Sequence, residues 1–282
     1  MRRPRISLVL PVHNGADYLE EALASIADQT LAGYELICVD DASSDATPEI
    51  LAKAAKDDDR ITILRNAERR GLPASLNIGF ARATAPLHSW VSHDNRLLPH
   101  MLERLTALLE ARPDCAIAYG AYREIDQSGA RTGHHGARGS ADLLLANTVG
   151  AAFLTRAGVW HQLGGYDENL EGVEDYDFWL RARHHFAFCA TQEELLEYRL
   201  HPASMTSRRS AAIADAHDAL LEREIPLEED AKTRAHAWLA LMEQRPDMSR
   251  IRYLARAARA HPSTALAHTR KTLRWLRAAR RN

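Results

Sequence analysis

The sequence predicts an α/β fold with a mostly parallel sheet and flanking helices, followed by a C-terminal helical appendage. Apolar runs of strand length alternate with amphipathic helical stretches through the first half of the 282-residue chain. From about residue 208 onward only helical patterns remain. The alternation is typical of a parallel sheet whose crossover helices cover both faces. We therefore predict two parts, residues 1–207 and residues 208–282.

Each element of the first half has its own signal. The strands are predicted from short apolar runs at Ile6–Pro11, Tyr34–Val39, Ile61–Leu64 and His88–Val91. The helices are predicted from apolar residues three and four apart at Ala16–Ala27, Thr47–Ala55, Pro73–Ala83 and Pro99–Glu110. Proline is favoured in the first turn of a helix, so Pro48 and Pro99 support two of these starts.

The second half is less regular. Strands are predicted at Cys115–Ile125, Ala151–Thr155, Phe186–Ala190 and Leu196–Leu200, with a helix over Glu174–His184. The stretch Gln127–Ser140 is rich in Gly, Arg and His and predicts a mobile loop.

Composition indicates an ordinary soluble globular protein, with 46% hydrophobic and 26% charged residues. Three scattered cysteines in apolar runs predict buried thiols in a reducing compartment. No apolar run approaches the roughly 20 residues that span a bilayer. The basic start is followed by a short apolar run that Pro11 interrupts, which predicts a buried strand and not a signal peptide. We expect a cytoplasmic protein.

The C-terminal end is strongly basic. No Asp or Glu follows Asp247, whereas ten Arg and Lys residues do. The net charge is therefore +10 after residue 247 and −12 up to and including it, which together give the overall −2. Leu266, Leu273, Trp275 and Leu276 form an apolar stripe that could lie peripherally on anionic lipid at the inner membrane face. A helix packed on the rest of the chain with a solvated basic face is the alternative. The first part lacks basic stripes with interleaved aromatics, which argues against a nucleic-acid partner.

Polar residues follow three of the predicted strands. Asn14, Asp40, Asp41 and the segment 92–95 stand where parallel strands end, the edge at which such sheets bind ligands. Carboxylates there can accept hydrogen bonds from a base N–H or a ribose hydroxyl. Acidic residues after a strand are also common as helix caps, so the Asp40–Asp41 pair by itself is a weak signal.

The wider pattern around these residues is more specific. The segments SLVLPVHNG (7–15), YL (18–19), SIADQT (25–30) and VDDASSD (39–45) together resemble the family 2 glycosyltransferases of the GT-A fold. His13 replaces the aromatic and Ala42 the glycine that are usual in that pattern. The resemblance implies that Pro11, His13 and Asp41 surround the nucleotide base, with Asp41 accepting from its imide N–H. Candidate nucleotide-binding residues that accompany them are Asn14, Asp40, Gly71, Asn77 and His93.

The resemblance also implies a metal site. The segment Ser92–Asn95 occupies the family's DxD region, where an aspartate coordinates a divalent cation that bridges the donor diphosphate. Asp94 is its only carboxylate, and His93 stands at the ribose-side acid position. The segment YRLHPASMT (198–206) resembles the family's YRxHxxSxT pattern, in which His201 would complete the coordination. Carboxylate oxygen and imidazole nitrogen suit Mn²⁺, and the carboxylate suits Mg²⁺.

The predicted catalytic residues lie further along. The segments GGYDE (164–168) and EDYDFWLR (174–181) resemble the family's GGFDE and ED-DLWLR patterns. An inverting transfer needs a carboxylate to take the proton of the acceptor hydroxyl, and the resemblance gives that role to Asp175. Glu174 would position it or contact the acceptor. Acidic residues in a first helical turn can also simply complement the helix dipole.

Together these features predict an inverting glycosyltransferase that uses a nucleoside-diphosphate sugar, UDP-linked by preference, and an unidentified glycan, lipid-linked or small acceptor. The altered DxD region leaves open a catalytically impaired nucleotide-sugar-binding protein. A dinucleotide oxidoreductase is disfavoured, because no G-x-G-x-x-G follows the first strand.

Overall fold

The computed structural model describes residues 3–208, 210–244 and 249–269. Contacts within the chain divide the described residues into two compact units. The first comprises the residues up to 140 together with 147–213, and the second comprises 141–146 and the residues beyond 213. The boundary between residues 207 and 208, which the helical pattern predicts, remains a prediction about domain organisation. Leu273, Trp275 and Leu276 of the predicted apolar stripe lie outside the described residues.

A single nine-stranded sheet forms the centre of the first unit. Its strands are β1 (Ile6–Val12), β2 (Tyr34–Asp40), β3 (Ile61–Arg65), β4 (Leu87–Trp90), β5 (Arg96–Leu97), β6 (Cys115–Ile125), β7 (Arg131–His135), β8 (Phe153–Arg156) and β9 (Ala187–Arg199). The order is β3-β2-β1-β4-β8-β6-β9-β5, and β7 pairs with β6. The pairs among β3, β2, β1 and β4 are parallel, as is β6 with β9. The remaining pairs are antiparallel.

The helices flank this sheet or form the second unit. They are α1 (Leu19–Ala27), α2 (Thr47–Asp57), α3 (Leu72–Arg82), α4 (Met101–Ala111), α5 (Ala157–Leu163), α6 (Glu174–Ala182), α7 (Met205–Arg208), α8 (Ser210–Glu224), α9 (Ala231–Gln244) and α10 (Ser249–Ala260). Residues 262–269 are also helical, and short 3-10 helices span Ser140–Leu144 and Ile225–Leu227.

The central strands are apolar on both faces because both faces are covered. All seven residues of β1 are buried. Leu8 and Leu10 belong to the same hydrophobic cluster as Ile26 of α1. Val9 points the other way, where Gly79 of α3 packs so closely that a Cβ on the glycine would overlap the valine side chain. A strand buried on both faces has no polar alternation, which is why β1 reads as a continuous apolar run.

The predicted α/β architecture with flanking helices and a helical C-terminal region is confirmed. The parallel arrangement is concentrated in the first half, as the alternation there predicts. In the second half, one long strand, β9, replaces the two strands predicted at Phe186–Ala190 and Leu196–Leu200. The register of its pairing with β6 shifts at several positions.

The prediction of a loop over Gln127–Ser140 is wrong for residues 131–135 and agrees with the irregular backbone on either side of them. Residues 131–135 form β7, which pairs with β6 as a hairpin. Its histidines are satisfied by carboxylates on the neighbouring strands: His134 Nδ1 lies 2.7 Å from Glu194 Oε1, and His135 Nε2 lies 2.6 Å from Glu124 Oε1. These cross-strand pairs stabilise a stretch whose composition alone is typical of a loop.

The second unit packs helix on helix. Trp238 of α9 stacks on Tyr253 of α10 with ring centroids 5.8 Å apart, and the Arg256 guanidinium lies 4.6 Å above the Trp238 ring. Among the described residues no helix combines the length and the apolar character that crossing a bilayer requires. The three cysteines are free and buried, as predicted.

Candidate active site

A cavity of about 690 Å³ opens at the carboxyl ends of β1, β2 and β4. The segment that follows β9 forms a further part of its wall. Predicted site residues that line it are Pro11, His13, Asn14, Asp41, Gly71, His93, Asp94 and His201. Residues up to 190 positions apart in the sequence therefore meet around one space. Strands that run in parallel deliver their carboxyl ends to the same edge of the sheet, which explains why these residues meet.

Asp41 is held rigidly at the end of β2. Its Oδ1 accepts from Asn66 Nδ2 at 2.7 Å and from the Arg70 N–H at 2.8 Å, and its Oδ2 accepts from the Gly71 N–H at 2.8 Å. Gly71 precedes α3 with φ 89°, a conformation that a glycine adopts without strain. A carboxylate has about four lone-pair sites, so these three bonds leave one for a ligand.

The loop after β1 is fastened to the loop after β2. His13 Nδ1 lies 2.7 Å from the main-chain oxygen of Asp41, which requires the proton on Nδ1. Nε2 of a neutral His13 is then an acceptor. The Asn14 N–H donates to Ser43 Oγ at 2.9 Å, and its side-chain Oδ1 accepts from the Ser44 N–H at 2.8 Å. Both predicted residues therefore face the cavity with fixed orientations.

His93 is packed against the same loop. A Cβ on Gly15 would overlap the His93 ring and lie 2.6 Å from Val12 Cγ2, so only glycine fits there. Burial lowers the pKa of His93, and the neighbouring His201 lowers it further, while Asp94 acts in the opposite direction. The ring is therefore neutral at neutral pH and offers one donor and one acceptor in place of an acid.

Asp94 and His201 face each other across the cavity wall. Asp94 Oδ2 lies 3.1 Å from His201 Nε2, and the two side chains are 13% and 9% exposed. Burial raises the pKa of Asp94, but hydrogen bonds from His201 and Ser92 act against burial, and the net pKa is lowered. Asp94 is therefore an ionised carboxylate.

This pair fits a divalent cation of the predicted kind. An ionised carboxylate oxygen and an imidazole nitrogen within 3.1 Å of each other form a suitable pair of donors for Mn²⁺. Within the part of the chain that the structure describes, no group of three or more His, Cys, Asp or Glu side chains could hold a metal ion. The protein would thus supply two ligands, and oxygens of a bound diphosphate would have to supply others.

Two predicted nucleotide-binding residues do not reach the cavity wall. Asp40 is buried, its Oδ1 accepts from the Ser43 N–H at 2.9 Å, and its Oδ2 lies 3.4 Å from Arg65 Nη1. Asn77 Nδ2 donates to the Tyr166 main-chain oxygen, and its Oδ1 accepts from the Tyr166 N–H, both at 2.9 Å. Both side chains point away from the cavity and bond neighbouring loops instead.

Several lining residues were not among the predicted site residues. They are Tyr18, Arg69, Glu171, Arg208 and Gly15. Tyr18 and Gly15 stand inside the opening motif, so position within the motif could have identified them. The cations Arg69, in a loop, and Arg208, at the end of α7, come from segments whose proximity only the folded chain reveals.

The two predicted catalytic acids form a separate cluster at the start of α6 and do not line the 690 Å³ cavity. Asp175 Oδ2 accepts from Asn147 Nδ2 at 2.9 Å, and Oδ1 accepts from the Tyr176 N–H at 2.7 Å. Burial raises the pKa of Asp175 although both hydrogen bonds lower it. Burial, with the charge of Asp175, raises the pKa of Glu174 to about 8. The charge of one carboxylate opposes ionisation of the other, and the hydrogen bonds from Asn147 and the Tyr176 N–H favour Asp175 as the ionised member of the pair.

Comparison with known sequences identifies relatives among glycosyltransferases. The chain is 29% identical over 215 residues to an uncharacterized glycosyltransferase of Rickettsia prowazekii, covering 72% of this chain and 66% of that protein. It is 33% identical over 184 residues to the O-antigen biosynthesis protein RfbC of Myxococcus xanthus, covering 64% of this chain and 14% of that protein. The chain therefore spans just under two thirds of the first relative and a small part of the second.

Solved structures share the fold. The mannosyltransferase PcManGT of Pyrobaculum calidifontis, in complex with GDP-Man and Mn²⁺, matches with a TM-score of 0.68 at 22% identity, covering 97% of this chain and 81% of that one. TarS 1–349 of S. aureus in complex with UDP-GlcNAc also matches with 0.68, at 16% identity and covering 93% and 83%. Residues 7–163 match the sequence profile of glycosyl transferase family 2, more than half of the chain, which therefore belongs to this family of transferases.

Proposed function

We propose that the chain is an inverting glycosyltransferase that moves a sugar from a nucleoside-diphosphate sugar, UDP-linked by preference, to an acceptor hydroxyl. The observation that carries this proposal is the single cavity that His13 and Asp41 line together with Asp94 and His201. The first two offer hydrogen-bond acceptors for a base, and the other two offer cation ligands for a diphosphate. A nucleoside diphosphate needs both kinds of group in one space.

The donor side of the proposal assigns one task to each group. Asp41 accepts the imide N–H of the base with its remaining lone pair, and the His13 ring lies beside it. His93 bonds the ribose as donor or acceptor. Asp94 and His201 would hold a Mn²⁺ or Mg²⁺, which would supply positive charge opposite the departing diphosphate.

The acceptor side depends on Asp175. Its ionised carboxylate takes the proton of the acceptor hydroxyl as that oxygen attacks the anomeric carbon, and the bond to the diphosphate breaks on the opposite face. The configuration at that carbon is thereby inverted. Asn147 and the Tyr176 N–H orient the carboxylate.

Replacement of Asp175 by Asn tests the mechanism. We expect Asp175→Asn to lower kcat by about 10³-fold, the usual contribution of a general base, with the dissociation constant of the nucleotide unchanged. Transfer and hydrolysis would be measured with UDP-GlcNAc and GDP-mannose among a panel of nucleotide sugars. Asp167→Asn, in the neighbouring loop, is the matched control and should retain activity. Equal turnover by Asp175→Asn and the wild type would refute the base assignment.

The alternative is a nucleotide-sugar-binding protein without turnover. The observation that favours it is the histidine His93 at the position where the family pattern has an acid. Binding of a nucleotide that requires Mn²⁺ and Asp94, with no transfer or hydrolysis of any donor in the panel, would establish this alternative instead.

Location and partners remain part of the proposal. We infer a cytoplasmic protein, which the three buried free thiols support. Peripheral contact with anionic lipid through the basic C-terminal end is supported by its charge, and by Leu266, which is 52% exposed.

A further inference from the structure

Arg199, at the end of β9, is a buried arginine whose contacts converge on the two predicted cation ligands. It is 1% exposed, among the largest fully buried side chains of the described residues. A buried guanidinium is costly unless its N–H groups are bonded and its charge is compensated. Its bonding partners therefore indicate what the residue is there to hold.

This guanidinium bonds three other segments of the chain. Nε donates to the main-chain oxygen of Asp94 at 2.9 Å, and Nη2 donates to Glu21 Oε2 of α1 at 2.7 Å. Nη1 donates to the main-chain oxygens of Asp126 and Gln127, at 3.3 and 3.1 Å, in the turn after β6. The planar fork of arginine makes all of these bonds at once, which a lysine ammonium cannot do.

The face of the guanidinium makes a further contact. Its central carbon lies 4.5 Å from the centre of the Tyr18 ring. The same ring contacts the His201 imidazole with centroids 4.9 Å apart. The Arg199 N–H also donates to Asn95 Oδ1 at 3.0 Å, next to Asp94 in the chain. Arg199 thus contacts the Asp94 loop directly and reaches His201 through Tyr18 and through the two-residue link in the chain.

We propose that Arg199 is a positioning residue that holds Asp94 and His201 at the spacing a divalent cation needs before the cation arrives. This inference rests on the proposed function, since it takes Asp94 and His201 as the ligands. The bond to the Asp94 main-chain oxygen fixes the first ligand, and the Tyr18 ring under the guanidinium packs against the imidazole of the second, so binding requires little rearrangement. Residues that orient metal ligands in this way typically contribute 10- to 100-fold to metal affinity.

The test measures Mn²⁺ affinity, which a merely structural role would leave unchanged. Free Mn²⁺ is followed by electron paramagnetic resonance during titration of the full-length chain with UDP or GDP, whichever stabilises the wild type. We expect Arg199→Met to weaken Mn²⁺ binding at least about 10-fold, with the metal-free nucleotide affinity within about twofold of wild type. Arg199→Lys should give an intermediate loss, because it keeps the charge and loses the fork.

Arg156→Met is the matched control. The Arg156 guanidinium also donates to main-chain oxygens, those of Cys115 and Leu109, but it lies outside the cavity wall. We expect it to lower thermal stability without changing Mn²⁺ affinity. If Arg199→Met does not fold, Glu21→Gln is measured in its place. Among the described residues, Glu21 supplies the only carboxylate bonded to Arg199. Its side chain is half exposed, so the protein should tolerate the change. It should weaken Mn²⁺ binding about threefold.

The outcomes separate this inference from the function on which it rests. If Asp94→Ala abolishes Mn²⁺ binding while folded Arg199→Met, or Glu21→Gln in its place, binds Mn²⁺ as wild type does, the positioning role is wrong and the metal site stands. If Asp94→Ala leaves Mn²⁺ binding unchanged, or the wild type binds none with either nucleotide, the proposed metal site fails and the inference fails with it.

Discussion

Ala42 holds a left-handed backbone conformation directly after the two aspartates that end β2. Its φ is 56°, in the region that costs an alanine about 1 kcal/mol relative to glycine. The family pattern usually has glycine here, and the observed angle gives the physical reason. The strained turn directs Asp41 towards Gly71 and the cavity.

We expect Ala42→Gly to stabilise the protein by about 1 kcal/mol, because glycine adopts this angle without strain. Chemical denaturation of the full-length chain measures the change. Ala52→Gly, on the exposed side of α2, should destabilise by about 1 kcal/mol, since glycine costs entropy in a helix. Two changes of the same sign would contradict this account of the turn.

The buried Glu174 makes stability depend on pH. Its pKa is raised from 4.5 to about 8, so the folded state holds a proton that the unfolded state releases. The stabilising effect of that proton is complete below about pH 4.5 and is lost as the pH rises towards 8. Glu174→Gln cannot lose such a proton.

We therefore expect Glu174→Gln to raise the thermal midpoint relative to wild type, by about 2 °C or more at pH 8.5 and by little at pH 5. Thermal unfolding at both pH values measures the difference. Glu68→Gln, at an exposed position, should show no such growth with pH. A constant difference at both pH values would mean that burial does not govern Glu174.

At the scale of elements, the approach of α3 to the sheet determines where Gly71 and Asp41 meet. Gly79 lies against Val9 of β1 and Val39 of β2, and a Cβ would come within 3.2 Å of Val39 Cγ2 and closer still to Val9. Buried strands have little room to move, so the helix would have to shift outward. The first residue of that helix follows Gly71, whose N–H bonds Asp41.

We expect Gly79→Ala to destabilise the protein by about 1–3 kcal/mol and to weaken nucleotide binding as α3 moves. Gly158→Ala in α5 is the matched control, because a Cβ there meets no atom within 4 Å. It should be neutral or stabilising by up to about 1 kcal/mol, since alanine favours helix. Denaturation midpoints and nucleotide titration measure both variants, and equal effects would refute the packing argument.

At the scale of the whole molecule, ligand binding and folding are linked. A nucleoside diphosphate that binds only the folded chain, at a free concentration about 100 times its dissociation constant, raises the free energy of unfolding by about 2.7 kcal/mol. For a protein of this size, that corresponds to about 5 °C in the thermal midpoint. The cavity joins loops from β1, β2, β4 and β9, so the stabilisation extends over the first unit.

We expect a nucleoside diphosphate to raise the midpoint by about 5 °C with Mn²⁺ and by less without it. Asp94→Ala should lose the increment that depends on the metal and keep the rest, because the base contacts of Asp41 remain. Thermal shift with UDP, GDP and other nucleotides measures this. An increment unchanged in Asp94→Ala would place the metal elsewhere.

The sequence by itself determined the α/β architecture, the family and part of the cavity wall. The reason is local: apolar runs report burial of whole strands, and the motif residues stand directly after strands β1, β2 and β4. Parallel strands carry such positions to one edge whatever the distance between them in the chain. His13, Asp41 and Asp94 could therefore be placed in advance.

Only the tertiary structure decided which polar groups remain available to a ligand. Asp40 and Asp41 are adjacent and identical in type. Asp40 accepts from the Ser43 N–H and lies beside the Arg65 guanidinium, whereas Asp41 lines the cavity. The sequence motif contains Arg199 but does not show that its guanidinium bonds three other segments of the chain. Hydrogen-bond satisfaction depends on partners far apart in the chain, and no local pattern records those partners.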